Sequence, residues 1–331
     1  MAPSTTPSTT PSKYPAFEDL PLRKDGPPYN AWGLYGPDDE LGKLNLITPE
    51  AVQRGLKAAE HGIVINLNLP LDKQTSFGNR IGLTRNVVLP EKGVQQHLDD
   101  EVSFNTQCST QWDGFRHFSY KNWPKQGDLV FYNGQTYESA TDLNESRNGI
   151  HNFADHPITS RAHLLDLPRY LAKNNLPPLV QLDNATPIDP ELLEACAQYE
   201  GVKFEPGDIC VLKIGHVDAF FALKDVEAQK KVTKFCGVRK AIDVAKWHWE
   251  KGIAAVVTDG VAYESSREPE NPVYLHEIFL AGWGLPIGEW FDLRKLSEEC
   301  ERLNKWTFLF TSMPLNVTGG IASPPNAQAI L

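Results

Sequence analysis

The chain has 331 residues, 41% of them hydrophobic, and a net charge of −10. That allows one large domain or two modest ones around a substantial core. It excludes a nucleic-acid partner, which would want a basic face, and the sequence holds no apolar run of about 18 residues to cross a membrane.

Residues 1–15, MAPSTTPSTTPSKYP, are a Ser/Thr/Pro repeat without the apolar stretch of a signal peptide, so they read as a disordered tail. Five widely spaced cysteines, Cys108, Cys196, Cys210, Cys236 and Cys300, form no C-x-x-C pair; reduced thiols in the cytoplasm are expected. Thr48 and Pro49 have the chemistry of a helix start, and the helix should run to about His61. IVINLNLPL (63–71) alternates like a strand, and 84–98 reads as a loop or a second strand. The stretch 99–118 leads into a polar segment, and 119–157 is a long irregular region of the kind used as a lid or interface arm. HLLDL (163–167) is a strand candidate, and Asp189-Pro190-Glu191 opens a helix to about Tyr199. GDICVLKIG (207–215) and IAAVVTDG (253–260) are apolar runs suited to central strands. Between them, 236–252 has helical periodicity and ends at Gly252. A short glycine-stopped helix (275–284), a final helix (292–304) and a final strand (307–315) complete the chain. The expected class is α/β with a mixed central sheet, and one domain over 16–331. Gly282, Gly284 and Gly288 do not make a dinucleotide-binding spacing.

The chemistry concentrates in 107–117, QCSTQWDGFRH. If this piece is extended, Gln107, Ser109, Gln111 and Asp113 share one face, because strand side chains alternate. His117 follows just beyond Gly114. Combined with His276 and Glu289, Asp113 and His117 would make a carboxylate–imidazole centre for a divalent metal, which makes water nucleophilic near neutral pH. The competing reading is structural: a solvated strand edge turning at Gly114, a packed His276 and a surface Glu289. Trp112, Phe115 and Trp290 are candidate pocket walls, with core packing as the stronger alternative. Cys108 reads as a small buried residue rather than a nucleophile.

These motifs resemble the putative cyclase family, which includes bacterial kynurenine formamidase and isatin hydrolase. The family motif H-x-G-T-H-x-D-x-P-x-H aligns without a gap on Gln107 to His117, and LHEIFLAGWGLPIGEWFDLRKL (275–296) resembles the second family signature. AWGLYGPDDELGKLNLITPE (31–50), ITSRAHLLDL (158–167), GDICVLKIG and PLNVTGGIASPPNAQAI (314–330) match as well, in the manner of a longer, fungal-type branch. The resemblance implies a swivelling β/β/α domain and subunits that pair around the site, as a homodimer or homotetramer. By position it implies metal ligands at Gln107, Gln111, Asp113, His276 and Glu289, with His117 as acid/base.

Both leading motif histidines are glutamines here, and an amide oxygen is a weaker ligand than imidazole. The expectation is therefore one Zn, Mn or Mg ion held by Asp113, His276 and Glu289, with Gln111 or His117 as a further ligand; a metal-free site is the alternative. Gln107 and Gln111 would then also bind substrate and water. The expected activity is hydrolysis of a small cyclic or aryl amide, lactone or N-formyl compound. The alternatives are a non-hydrolytic acid/base cyclase, dehydratase or isomerase, and a degenerate binding protein.

Overall fold

The two apolar runs at 207–215 and 253–260 become neighbouring central strands of a nine-stranded mixed sheet. The computed structural model describes residues 14–73, 80–89, 96–182 and 184–331. In chain order the strands are β1 (Val64–Asn66), β2 (Gln111–Asp113), β3 (Ile158–Asp166), β4 (Ile209–Lys213), β5 (Ala255–Thr258), β6 (Ile287–Glu289), β7 (Thr307–Ser312), β8 (Ala322–Ser323) and β9 (Ala327–Ile330). Their order across the sheet is β1-β9-β7-β3-β4-β5-β6-β2-β8. The block from β3 to β6 is parallel, and both flanks are antiparallel. Every residue of β4 and β5 is buried, as expected of parallel strands covered on both faces.

Four helices of nine or ten residues have regular α geometry: α1 (Pro49–Ala58), α2 (Pro190–Tyr199), α3 (Ile242–Glu250) and α4 (Arg294–Leu303). α1 starts where Thr48 and Pro49 indicate, with the Thr48 hydroxyl accepting from the Ala51 amide. It packs across β3 and β7, and α2 packs on β3 and α3. The helix expected over 236–252 begins later, because Gly237 and Val238 pair with Pro187 and Ile188 as a short ladder. The mixed α/β class, the large central sheet and the β/β/α arrangement are as expected.

Some boundaries differ. The strand expected over 63–71 has only three paired residues, followed by a single bridge from Asn68 to Phe291. The region 119–157 is no free lid: Tyr120, Val130, Phe131, Tyr132 and Phe153 are buried in the core. The tail assigned to 1–15 lies outside the described residues up to position 13. Its last two residues are packed, with Tyr14 against the Trp249 ring and the Pro15 carbonyl accepting from the Trp249 indole. Among the described residues, no helix is long and apolar enough to cross a membrane. All five cysteines are buried, and none of them is joined in a disulfide.

Candidate metal and acid/base centre

The antiparallel pairing of β2 with β6 builds the site. The register sets Gln111 opposite Glu289 and Asp113 opposite Ile287. Alternation then places Gln111, Asp113 and Glu289 on one face and Trp112 on the other. The strand is shorter than the sequence implies, since 105–110 turn rather than extend, with the Cys108 amide bonded to the Asn105 carbonyl. Gln107 nevertheless reaches Asp113 from that turn.

After Asp113 the chain reverses at Gly114, whose amide donates to the Ile321 carbonyl; a Cβ there would sit 2.6 Å from that oxygen. The His117 amide closes the turn on the Gly114 carbonyl. Arg116 anchors it by donating to the carbonyls of Glu145, Arg147 and Gly319, each at 2.8 Å. His276 arrives from the opposite side, just before a π-type turn (Glu277–Trp283) that stops at Gly284 with φ 60°.

The four side chains combined from the sequence do converge. Donor atoms of Asp113, His276 and Glu289 lie within 4.8 Å of one another, and all three residues are buried. His276 Nε2 is 3.2 Å from Glu289 Oε1 and 3.9 Å from Asp113 Oδ2. His117 Nε2 is 3.6 Å from the same Oδ2. That oxygen is buried and finds no hydrogen-bond partner among the described residues.

The two glutamines occupy the other carboxylate oxygens. Gln107 Nε2 donates to Asp113 Oδ1 at 3.0 Å and to His117 Nδ1 at 2.8 Å. Gln111 Nε2 donates to Glu289 Oε2 at 2.9 Å and to Asp113 Oδ1 at 3.3 Å, while its own Oε1 accepts from Arg80 at 3.4 Å. The amide oxygen of Gln111, expected as a ligand, thus faces Arg80, and its nitrogen faces the carboxylates.

Two residues enter that carry no motif in the sequence. Glu264, beyond β5, accepts from His276 Nδ1 at 3.0 Å and from the Leu275 amide at 2.5 Å. Arg80 donates to the Gln107 carbonyl at 3.2 Å as well as to Gln111. A cation leaning on two neutral amides would be a signal only if the turn at 105–110 were known in advance.

Burial and the nearby Glu289 carboxylate push the Asp113 carboxyl well above the usual range. Burial alone would lower His276, but Glu264 and then Glu289 outweigh it and raise the imidazole well above its ordinary value. His117 goes the other way, to about 3, through burial, His276 and Arg80. It is therefore neutral. Because the Gln107 amide donates to Nδ1, its proton resides on Nε2, the nitrogen that faces Asp113.

The donor set fits one divalent ion. Tetrahedral ligands at about 2.1 Å from a metal stand roughly 3.4 Å apart, and the two measured separations, 3.2 and 3.9 Å, bracket that figure. A carboxylate holding the far nitrogen of a ligating histidine is the usual outer support of such centres, and Glu264 has that position. Oδ2 of Asp113 supplies the free acceptor.

The expected pocket walls are core residues. Trp112 packs against Phe291 and Phe310 and donates to the Ser312 hydroxyl. Phe115 lies against Tyr132 and Phe153, and Trp290 against His216 and Phe220. Each is fully buried. Among the described residues, Phe118 is an aromatic group at the centre, its ring centroid 5.2 Å from that of His276. Cys108 is buried, and burial raises its thiol, as expected of a packing residue.

A family model described as putative cyclase matches residues 39–265. No curated protein matches the chain. Among solved structures, one described as a novel cyclase is 25% identical, with a TM-score of 0.80 over 91% of this chain and 97% of that one. Isatin hydrolase A from Labrenzia aggregata, bound to benzyl benzoate, is 14% identical, with a TM-score of 0.55 over 81% of this chain and 93% of its own. An isatin hydrolase bound to the product analogue thioisatinate is 13% identical, with a TM-score of 0.56 over 86% of this chain and 99% of its own. The last two likenesses concern the fold.

Proposed function

The chain belongs to the putative cyclase family, and on that footing we propose that it is a metal-assisted hydrolase of a small cyclic or aryl amide, lactone or N-formyl compound. One observation carries the reading: the unpartnered Oδ2 of Asp113 faces His276, and Glu289 completes the cluster of donors. Asp113, His276 and Glu289 would hold the ion, and Gln107 and Gln111 orient the two carboxylates without ligating through oxygen. A divalent ion there supplies Lewis acidity, lowering the pKa of water and polarising a carbonyl.

The chain's own groups handle the protons. As the acid/base group, the neutral imidazole of His117 takes the proton released by the attacking water, becoming imidazolium, and the imidazolium then gives a proton to the departing nitrogen or oxygen. The ring returns to the neutral form that burial favours at rest. Gln107, donating to Nδ1, sets which nitrogen carries the proton in that resting form.

Asp113→Asn tests the reading. It should abolish turnover of a panel of lactones, aryl formamides and isatin-like lactams, and the bound metal measured by elemental analysis should vanish with it. Full activity of that variant after exhaustive metal removal would overturn the mechanism. The lack of both motif histidines favours a second reading, non-hydrolytic acid/base chemistry by His117 and Asp113. That reading gains if the purified protein carries no metal yet converts a substrate. A protein without metal or turnover would instead be a binding scaffold.

A further inference from the structure

Twelve residues lie between His276 and Glu289 and eleven between Glu264 and His276, and the segment between Glu264 and His276 also walls a cavity. Its volume is about 580 Å³, and Asn184, Ala185, Lys234, Ser266, Arg267 and Glu268 line it. That is within the size of small-molecule sites.

The charges in this cavity are unevenly committed. Glu268 accepts from Lys240 Nζ and from the Tyr274 hydroxyl, both at 3.2 Å, and the Lys240 contact holds its carboxyl below the usual range. The Ser266 hydroxyl is engaged with the backbone of Phe235. Lys234 and Arg267 make no salt bridge among the described residues, and no described side-chain hydrogen bond engages either cation or the Asn184 amide. Two cations that make no salt bridge among the described residues, Lys234 also helping to lower the Glu268 carboxyl, and the Asn184 amide therefore line one concavity on a chain whose net charge is −10. On an acidic protein such a local excess of positive charge attracts anions. A planar guanidinium beside an ammonium is suited to the oxygens of a carboxylate or phosphate.

We propose that this cavity binds a small oxyanion, a carboxylate or phosphate, gripped by Arg267 and Lys234 with Asn184 donating its amide. The site is distinct from the metal and acid/base centre. The Ser265 amide bonds to the Val238 carbonyl and the Val273 amide to the Lys240 carbonyl, so the cavity wall is tied to the stretch from Val238 to Lys240. Three residues upstream of Arg267, Glu264 holds His276. A bound anion would thus sit on the segment that aligns the centre, whatever reaction the centre performs.

Calorimetry on the full chain at low ionic strength tests this, with inorganic phosphate and malonate as separate probes and chloride as the control. Saturable binding of either probe is expected, and its identity tells phosphate from carboxylate. Arg267→Gln and Lys234→Gln, both at exposed positions, should each weaken it by about tenfold or more, the equivalent of one charge-assisted contact. Asp113→Asn should bind the probe as the parent does, which separates this result from the fate of the hydrolase reading. No saturable binding of either probe, or unchanged binding when both cations are replaced in a variant with the parent's circular dichroism, would overturn the proposal.

Discussion

At the level of single residues, the centre departs from a histidine-rich design through its two glutamines. Gln107 is the more consequential, since one amide group bridges Asp113 Oδ1 and His117 Nδ1. It fixes which imidazole nitrogen carries the proton. Gln107→Leu removes that donor at similar volume. Loss of correct proton placement removes much of general acid–base catalysis, so kcat should fall by about two orders of magnitude, with KM little changed. Nitrogen NMR of His117 should show the single Nε2–H form giving way to a mixture. A variant with parental kcat and the parental imidazole spectrum would show that the amide does not set the tautomer. The same residues explain what the sequence could show. Asp113, His117, His276 and Glu289 were legible because a motif carries each of them. Arg80 and Glu264 were not, because a lone cation and a lone carboxylate acquire meaning only when the fold sets them beside Gln111 and His276.

Among the elements, the joint between α2 and β3 carries a testable pH dependence. Glu200, just past α2, accepts from the Asp166 amide at 3.1 Å, where β3 ends. Burial pushes its carboxyl up to about 8, from an ordinary value of 4.5. A carboxyl raised in the folded state stabilises fully below its unfolded pKa, and that stability is lost as pH climbs through the folded one. Denaturant unfolding should therefore weaken between about pH 5 and pH 8.5. Glu200→Gln should flatten that dependence and exceed the parent at the alkaline end by roughly 2–4 kcal/mol. Parallel curves for the two proteins would refute the assignment. The joint itself was readable, since Asp189-Pro190 announces α2 and apolar residues announce β3. The C-terminal strand β9 was not. Its sequence, AQAI, has too little apolar alternation to stand out, and its place between β1 and β7 is settled by pairing with residues more than two hundred positions away on one side.

The whole molecule has one feature that a single chain leaves unfinished. Thr84–Val88 and Asp99–Ser103 pair as a two-stranded arm, and every residue of both strands is exposed. Two strands without a covering layer are marginal in water, and the arm presents apolar groups: Val87, Val88 and Val102 on its strands, with Ile81, Leu89 and Leu98 beside them. Its base is closed by the Asn105 amide on the Ile81 carbonyl, directly next to Arg80 and Gln107 of the centre. We propose a second copy of the chain as the occupant. A twofold contact would bring identical arms together, cover these groups and complete the unpaired strand edges. Sedimentation at micromolar concentration should then give a homodimer, or a homotetramer built from it. Val102→Asp should shift the population toward monomer, because a charge buried at such a contact is costly, while leaving the circular dichroism of the main sheet intact. A parent protein that sediments as a monomer throughout that range would remove the arm from any role in assembly. The fold would then have to stabilise those strands by some other contact.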